Sequence, residues 1–142
     1  MAYKFRKVIS QKVVRKTPEK ILTDDLVKYF KQVKRNVIYK FDLASDLRLT
    51  IQQASRNSKI GGAWSKGHPD LVIYEMRGRY GALFLELKAV TPYKKNGELK
   101  KNEHLKTQDW FHGELRKRGY KVEFSTGLEE SIKKIEDYLK IK

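Results

Sequence analysis

The chain has 142 residues, with 32 Lys and Arg against 17 Asp and Glu, a net charge of +15, and no cysteine. A chain of this length fits a single domain that buries roughly two thirds of its surface on folding, so it needs no disulfide to support a core. The absence of cysteine excludes disulfide scaffolds, thiolate zinc sites and cysteine nucleophiles, and favours a reducing, cytoplasmic setting.

The surplus of positive charge lies in one part of the chain. In residues 119–142 five lysines are balanced by five acids, so the whole surplus falls in Met1–Arg118. A positive field attracts polyanions, and the 39% hydrophobic content argues against a disordered basic tail. No stretch has the length of a signal peptide's apolar run or of a membrane span. We therefore expect a soluble, folded nucleic-acid-binding protein; a ribosomal or histone-like protein, or a protein of anionic membrane surfaces, are the other interpretations.

In chain order, the first sixteen residues carry six basic side chains and no acid, which predicts an arm or edge strand against phosphate, or a merely solvated terminus. A single domain over 17–142 follows. Thr17 and Pro18 predict the start of a helix over Pro18–Lys34, with Thr23 as a rival cap. The next predicted elements are a strand at Val37–Leu43, an ambiguous polar segment or short helix at Asp46–Asn57 and a flexible loop at Gly61–Gly67. Two strands follow, at Leu71–Glu75 and Ala82–Lys88, and then a basic loop at Thr91–Lys101. The last elements are a helix at Asn102–Arg118, capped by Asn102 and ended by Gly119, a strand at Tyr120–Phe124 and a helix at Leu128–Leu139.

Three charged residues in the central strands form the candidate catalytic group. Glu86 and Lys88 share one face of a strand, about 6.6 Å apart at ~3.3 Å per residue, and in an apolar strand such charges are costly unless paired. Asp70 begins the neighbouring strand, and a hairpin that turns near residues 78–80 brings Glu86 close to it. The sequence therefore predicts two carboxylates and one ammonium at one place.

This group suits metal-assisted hydrolysis of a phosphodiester bond. Mg²⁺ prefers oxygen ligands, so Asp70, Glu86 and the carbonyl of Leu87 would suffice, while Lys88 could orient the attacking water or stabilise developing negative charge. The alternative interpretation is an ordinary Lys–Glu pair on a solvated sheet face and a turn aspartate after Pro69.

The order Gly67-His68-Pro69-Asp70, then Glu86-Leu87-Lys88, then Gln108 closely resembles the VRR-NUC family of the PD-(D/E)XK nuclease superfamily. The resemblance covers roughly residues 24–139. It implies an α/β, restriction-endonuclease-like fold with an αβββαβ core, in which a central mixed sheet is flanked by helices. It also implies a site for Mg²⁺ or Mn²⁺, a homodimer, and a small phage-type nuclease similar to Holliday junction resolvases.

The resemblance assigns Asp70 and Glu86 as metal ligands, Lys88 as the catalytic lysine and Gln108 as the last motif residue. Helical spacing independently places Gln108 on one face with Phe111, toward the sheet, although a surface glutamine is the alternative. The family also places an acid of the first helix near the metal. Here Asp25 is the preferred candidate, Asp24 projects away from the apolar stripe, and Glu19 is a third option if the helix begins early.

Basic and aromatic side chains interleave in the loops near this group in the sequence, which suits contact with a phosphate backbone and stacking on frayed bases. Trp64 and Tyr93 are the aromatic members. The candidate DNA-binding residues are Lys66, His68, Arg77, Arg79, Lys94, Lys95, Lys100 and Lys101. His104 and His112 show no paired-histidine spacing and are expected in a loop or on a helix surface.

Together these observations predict a metal-dependent DNA endonuclease that is selective for branched DNA or Holliday junctions. The alternatives are a general, restriction-type or repair-type DNA nuclease, and a non-catalytic nucleic-acid-binding module with the same fold. The presence of Asp70, Glu86 and Lys88 together argues against the non-catalytic module, because carboxylates without a catalytic role would only repel DNA.

Overall fold

The computed structural model describes residues 17–42, 50–64 and 66–142, except for the side chain of Ala63. The predicted arm over residues 1–16 lies outside this part of the chain. The elements are α1 (Pro18–Gln32), β1 (Tyr39–Phe41), α2 (Ile51–Gly61), β2 (Leu71–Ile73), β3 (Leu83–Lys88), α3 (Glu103–Lys117), β4 (Lys121–Thr126) and α4 (Gly127–Leu139). With α2 inserted after β1 and α4 added at the end, this order contains the predicted αβββαβ core.

Helix α1 begins where the sequence predicts. The Thr17 side chain accepts a hydrogen bond from the backbone N–H of Lys20 at 3.3 Å, and Pro18 occupies the first turn, where its missing N–H costs nothing. Thr23 lies inside the helix and donates to the carbonyl of Glu19, so the rival cap is wrong. The helix thus begins early enough to place Glu19 in its first turn.

The sheet has four strands in the order β1-β2-β3-β4. Strands β1, β2 and β3 pair antiparallel, and β4 lies parallel to β3. The predicted hairpin is confirmed, with Leu71 opposite Leu85 and Ile73 opposite Leu83. Strands β1 and β2 are shorter than predicted, since each has only three residues, and Leu43 lies outside the described residues.

The alternation of β3 directs its side chains into two different layers. Leu83, Leu85 and Leu87 pack with α1 and α4 in the larger core, where Leu26 and Ile135 are also fully buried. On the opposite face α3 covers the second, smaller cluster, which contains Val72, Phe84, Val122 and, partly buried, Leu115. The sheet is therefore covered by helices on both faces.

Helix α2 confirms a short helix in the segment predicted as ambiguous, but it begins at Ile51 and extends into the predicted loop; residues 46–49 lie outside the described residues. Thr50 and Gln53 form a capping box, in which each side chain accepts from the other residue's backbone N–H. Gly61 ends α2, and Gly62–Trp64 forms a 3₁₀ turn, so the flexible loop predicted there is wrong. The Trp64 ring stacks on Trp110 of α3 at 5.4 Å between centroids, which holds the turn against the domain.

Helix α3 follows its sequence signals closely. The Asn102 side chain accepts from the backbone N–H groups at the start of α3, as predicted. After α3, Gly119 adopts a φ of 91°, a left-handed conformation that ends the helix. Within the described residues, no helix is long and apolar enough to cross a membrane.

The core of α1 gives the first testable prediction. Leu26 is 0% exposed, so Leu26→Ala should lower the free energy of unfolding by about 2–5 kcal/mol through lost burial and the cavity left behind. Ile21 on the same helix is 49% exposed, and Ile21→Ala should change it by no more than about 0.5 kcal/mol. Urea denaturation measures both; equal losses would contradict the described packing of α1.

Candidate active site

The register between β2 and β3 brings the two candidate carboxylates to the same end of the hairpin. Leu71 pairs with Leu85, so Asp70, one residue before β2, stands level with Glu86. The Asp70 carboxylate accepts a hydrogen bond from the backbone N–H of Leu87 at 2.9 Å. This bond ties Asp70 to β3 directly beside Glu86, as the predicted hairpin requires.

Glu86 is buried, and two donors meet one of its oxygens. Lys88 Nζ lies 3.2 Å from Glu86 Oε1, and Gln108 Nε2 donates to the same oxygen at 2.5 Å. The other oxygen, Oε2, is buried without a hydrogen-bond partner among the described residues, as is Oε1 of Gln108. A buried carboxylate oxygen with no donor is costly, so this site has capacity for a further electropositive group.

Burial changes the acid–base properties of both carboxyl groups. Desolvation, followed by the nearby charge of Asp70, raises the pKa of Glu86 to about 8, although Lys88 opposes the change. Desolvation likewise raises the pKa of Asp70, against the hydrogen bond from the Leu87 N–H and the charge of Lys88. Near neutral pH the pair therefore retains a proton that two exposed carboxyl groups would have lost.

These groups line an open cleft of about 390 Å³ at one end of the sheet. The cleft is formed by the start of α1, the end of β3, the start of α3 and the loop before β2. Its lining residues are Glu19, Asp42, Gly67, His68, Asp70, Glu86, Leu87, Lys88, His104 and Gln108.

The loop that leads into Asp70 lies close against α3. Gly67 has a φ of 87°, and a Cβ atom there would lie 3.0 Å from the carbonyl oxygen of Thr107 and 3.2 Å from Cβ of Phe111. Glycine is therefore required by both the conformation and the space. Because Thr107 adjoins Gln108, this close approach also fixes the distance between the Asp70 loop and the helix that carries Gln108.

His68, two residues before Asp70, also lines the cleft. Its Nδ1 is 2.8 Å from the carbonyl oxygen of Pro69 and 3.8 Å from a carboxylate oxygen of Asp42. The ring also has edge contacts with Phe84 and Phe111. These contacts hold the imidazole in place in the cleft lining.

The acid that α1 brings to the cleft is Glu19. Glu19 lines the cleft and its charge contributes to raising the pKa of Asp70. Asp25 instead pairs with Lys28 at 3.3 Å on the helix surface and does not line the cleft. The preference for Asp25 therefore requires correction: the first turn of α1, and not the second, adjoins the site, because the helix begins at Pro18.

The predicted DNA-binding residues do not all surround the cleft. Arg77 and Arg79 are near Asp70 in the sequence, but they belong to the turn between β2 and β3, at the end of the hairpin opposite Asp70 and Glu86. The strands of the hairpin lie between its turn and Asp70, so residues of the turn are close to Asp70 in the sequence but distant from it in space. Arg77 also pairs with Glu75 at 3.6 Å and donates to the carbonyl of Leu139.

The remaining basic candidates do not line the cleft. Lys66 is exposed and immediately precedes Gly67. The loop over 89–102 leaves β3 after Lys88 and returns to α3 just before His104, so both of its ends adjoin the cleft. This loop carries the exposed Lys94, Lys95, Lys100 and Lys101, of which Lys94 lies 3.6 Å from Glu98.

His112 is the largest departure from the sequence expectation. It is not on the surface: it is 0% exposed, its ring lies 4.6 Å from that of Phe124, and neither ring nitrogen has a hydrogen-bond partner among the described residues. Burial, and then the charges of Arg116 and Lys88, lower its pKa to about 4. His112 therefore packs as a neutral ring. Its position four residues after Gln108 was the sequence signal that it lies on the face of α3 directed toward the sheet.

The chain was compared with known proteins by sequence and by structure. No family model and no curated protein matches the sequence. A solved structure described as "VRR_NUC domain protein" superposes with a TM-score of 0.58 at 22% identity, over 90% of this chain and 93% of that one. The chain therefore has the restriction-endonuclease-like α/β fold that this structure shares, as predicted.

The protonated carboxyl pair gives a pH-dependent prediction. Because the pKa of Glu86 is about 8 in the folded chain, above its ordinary value of 4.5, its contribution to stability is fully present below about pH 4.5 and is lost as the pH rises through 8. In EDTA, the melting temperature of Glu86→Gln should therefore decrease less than that of the wild type between pH 5 and pH 9. Identical pH profiles of the two proteins would show that Glu86 ionises normally.

Proposed function

We propose that this protein is a metal-dependent DNA endonuclease that hydrolyses phosphodiester bonds, and that it belongs with the VRR-NUC nucleases of the PD-(D/E)XK type. The observation that carries the proposal is the meeting of Asp70, Glu86 and Lys88 in one open cleft. The likeness of the fold to a VRR_NUC domain protein supports the same class.

The residues of the cleft fit a divalent cation such as Mg²⁺ or Mn²⁺. Asp70, Glu86 and the backbone carbonyl of Leu87 are the proposed ligands, and the unpartnered Oε2 of Glu86 is an available donor. No group of three or more His, Cys, Asp or Glu side chains in the described segments is arranged to hold a metal. Two carboxylates still suit Mg²⁺, which usually keeps several waters and uses substrate oxygens. A bound cation would act as a Lewis acid on the phosphate and make water more acidic.

The other side chains have distinct roles in this proposal. The Lys88 side chain is only 15% exposed and its ammonium lies beside Glu86, where it can orient the attacking water and stabilise negative charge that develops on the phosphate. Gln108 holds Glu86 in one orientation by donating to Oε1, so it acts as a positioning residue. Glu19, at the start of α1, completes the acidic side of the cleft.

DNA is the proposed substrate because the chain carries a net charge of +15 and the loops beside the cleft are basic. The exposed lysines of the loop over 89–102 are proposed to contact the phosphate backbone. Selectivity for branched DNA, and a homodimer with two active sites, are the finer parts of the proposal. They are supported by the resemblance of the sequence motifs to the VRR-NUC family. They are also supported by the net positive charge, which is larger than binding of DNA at one cleft requires.

Removal of either carboxylate should separate cleavage from binding. Asp70→Ala and Glu86→Ala are expected to reduce Mg²⁺-dependent cleavage of labelled DNA by at least about a thousandfold, because each removes a proposed ligand. DNA binding should survive or tighten, since each variant also loses a negative charge that repels phosphate. Lys88→Ala should lose turnover but retain Mn²⁺ binding, which calorimetric titration would measure.

Two acids of α1 provide a matched comparison for the same assay. Glu19→Gln should weaken Mn²⁺ binding or cleavage, while Asp25→Asn, which alters an acid outside the cleft, should leave both near the wild-type level. The reverse result would restore Asp25 as the acid of this site. Normal cleavage by Asp70→Ala or Glu86→Ala would contradict the proposed function, and DNA binding without any cleavage would favour a non-catalytic module.

Substrate selectivity is tested by competition between DNA forms. A branched substrate presents several duplex arms, so a dimer can contact more phosphates on it than on a linear duplex. We expect four-way junctions to be bound and cleaved in preference to linear duplex at near-physiological salt, where non-specific binding has weakened. Equal binding and cleavage of both forms would contradict the selectivity and favour a general DNA nuclease. Sedimentation of the free protein would test whether it is a dimer.

A further inference from the structure

The outer edge of the sheet carries a second groove, separate from the cleft. This groove has a volume of about 510 Å³ and runs along β4, the edge strand. We name it the β4 groove. Its lining residues are Arg79, Tyr80, Tyr93, Arg116, Lys117, Gly119, Tyr120, Lys121, Val122, Glu123, Phe124 and Lys134. Five of these side chains are cationic and one is acidic.

Several of these cations are not neutralised by a carboxylate. Lys117 pairs with Glu114 and Lys134 with Glu130. In contrast, no carboxylate of the described residues lies within ion-pair distance of Arg79, Arg116 or Lys121. Cations of one groove that lack counter-charges repel one another, and a bound polyanion would relieve that repulsion.

Tyr80 holds two of these cations close together. The guanidinium carbon of Arg79 lies 5.1 Å from the centre of the Tyr80 ring, and Nζ of Lys121 lies 5.3 Å from the same point. Arg79 also donates to the Tyr80 hydroxyl at 3.3 Å. One ring thus places two positive charges at the same end of the groove, which is an arrangement suited to phosphate groups.

The edge of β4 is not open for pairing with another strand. The guanidinium of Arg116 donates to the carbonyl oxygen of Val122 at 2.8 and 3.1 Å, and Lys134 Nζ donates to that of Phe124 at 2.5 Å. These side chains occupy acceptors that a further strand would need. The groove therefore favours an anionic occupant over the edge strand of a second copy.

Phe124, which lines the groove, also lies close to a side chain of the cleft. The Phe124 ring lies 6.0 Å from Lys88 Nζ on the cleft side and contacts the Tyr93 ring at 6.0 Å on the groove side. In the parallel pairing Phe124 stands level with Glu86, and Lys121 with Leu83, three residues away. Lys121 is therefore about 10 Å along the sheet from the cleft, which corresponds to about three base pairs of duplex DNA.

We propose that the β4 groove binds the phosphate backbone of DNA beyond the scissile phosphate, with Arg79 and Lys121 as its principal contacts. This proposal rests on the proposed function for its substrate. It assigns to Arg79 a place in DNA binding that is remote from the cleft.

The test measures binding of a 30-base-pair linear duplex in EDTA, so that no cleavage occurs. The groove variant combines Arg79→Glu with Lys121→Glu. The control variant combines Lys31→Glu with Lys140→Glu, which changes the net charge equally at residues that line neither the cleft nor the groove. The groove variant should bind at least about tenfold more weakly, with a salt slope smaller by about two, while the control variant stays within about threefold of the wild type.

Equal weakening in both variants would assign the effect to net charge and overturn the proposal, as would wild-type binding by the groove variant. If the groove variant has a lowered melting temperature, Arg79→Gln with Lys121→Gln provides the same comparison without charge reversal. A change in sedimentation of the free protein, with DNA binding unaltered, would assign the groove to a second copy and also overturn the proposal.

The proposed function fails separately from this inference. If the wild type cleaves DNA with Mg²⁺ but the groove variant binds normally, the β4 groove has no role and the nuclease proposal stands. If the groove variant loses binding while the wild type cleaves no DNA with Mg²⁺ or Mn²⁺, the groove is a DNA-binding surface of a non-catalytic protein.

Discussion

The antiparallel pairing of β2 with β3 is the constraint on which the cleft depends. The pairing of Leu71 with Leu85 sets Asp70 beside Glu86, and the N–H of Leu87 holds the Asp70 carboxylate in that position. A shift of the register by one residue would turn Glu86 and Lys88 toward α1 and α4 and expose leucines to the cleft. The large apolar core on that side makes such a shift costly, so the packing of the leucines also preserves the site.

The same strand therefore contributes to the apolar core on one face and to the cleft on the other. The face toward α1 and α4 is wholly apolar, whereas the face toward α3 changes from apolar at Phe84 to charged at Glu86 and Lys88. Glu86 is tolerated because Lys88 and Gln108 satisfy one of its oxygens. Its second oxygen and its raised pKa show that the protein alone leaves this carboxylate incompletely stabilised. Such incomplete stabilisation is typical of a site that receives a ligand.

Positive charge is distributed over surfaces that the sequence order does not reveal. Arg77 and Arg79 follow Asp70 closely in the chain, yet the hairpin carries them to the other end of the sheet. There Arg79 and Lys121, which are 42 positions apart in the chain, both lie over the Tyr80 ring. Tertiary structure thus concentrates the excess positive charge at two places, the loops beside the cleft and the β4 groove. Phe124 lies between them.

The sequence by itself determined the elements whose signals are local: the cap at Thr17, the cap at Asn102 and the hairpin that joins Asp70 to Glu86. Each depends on residues close in the chain or on strict alternation, so tertiary contacts had little to alter. Tertiary structure alone decided that Glu19 rather than Asp25 faces the cleft, and that His112 is buried. Helical periodicity gives the face of a residue but not the angle and height at which its helix crosses the sheet, and those depend on packing between distant segments.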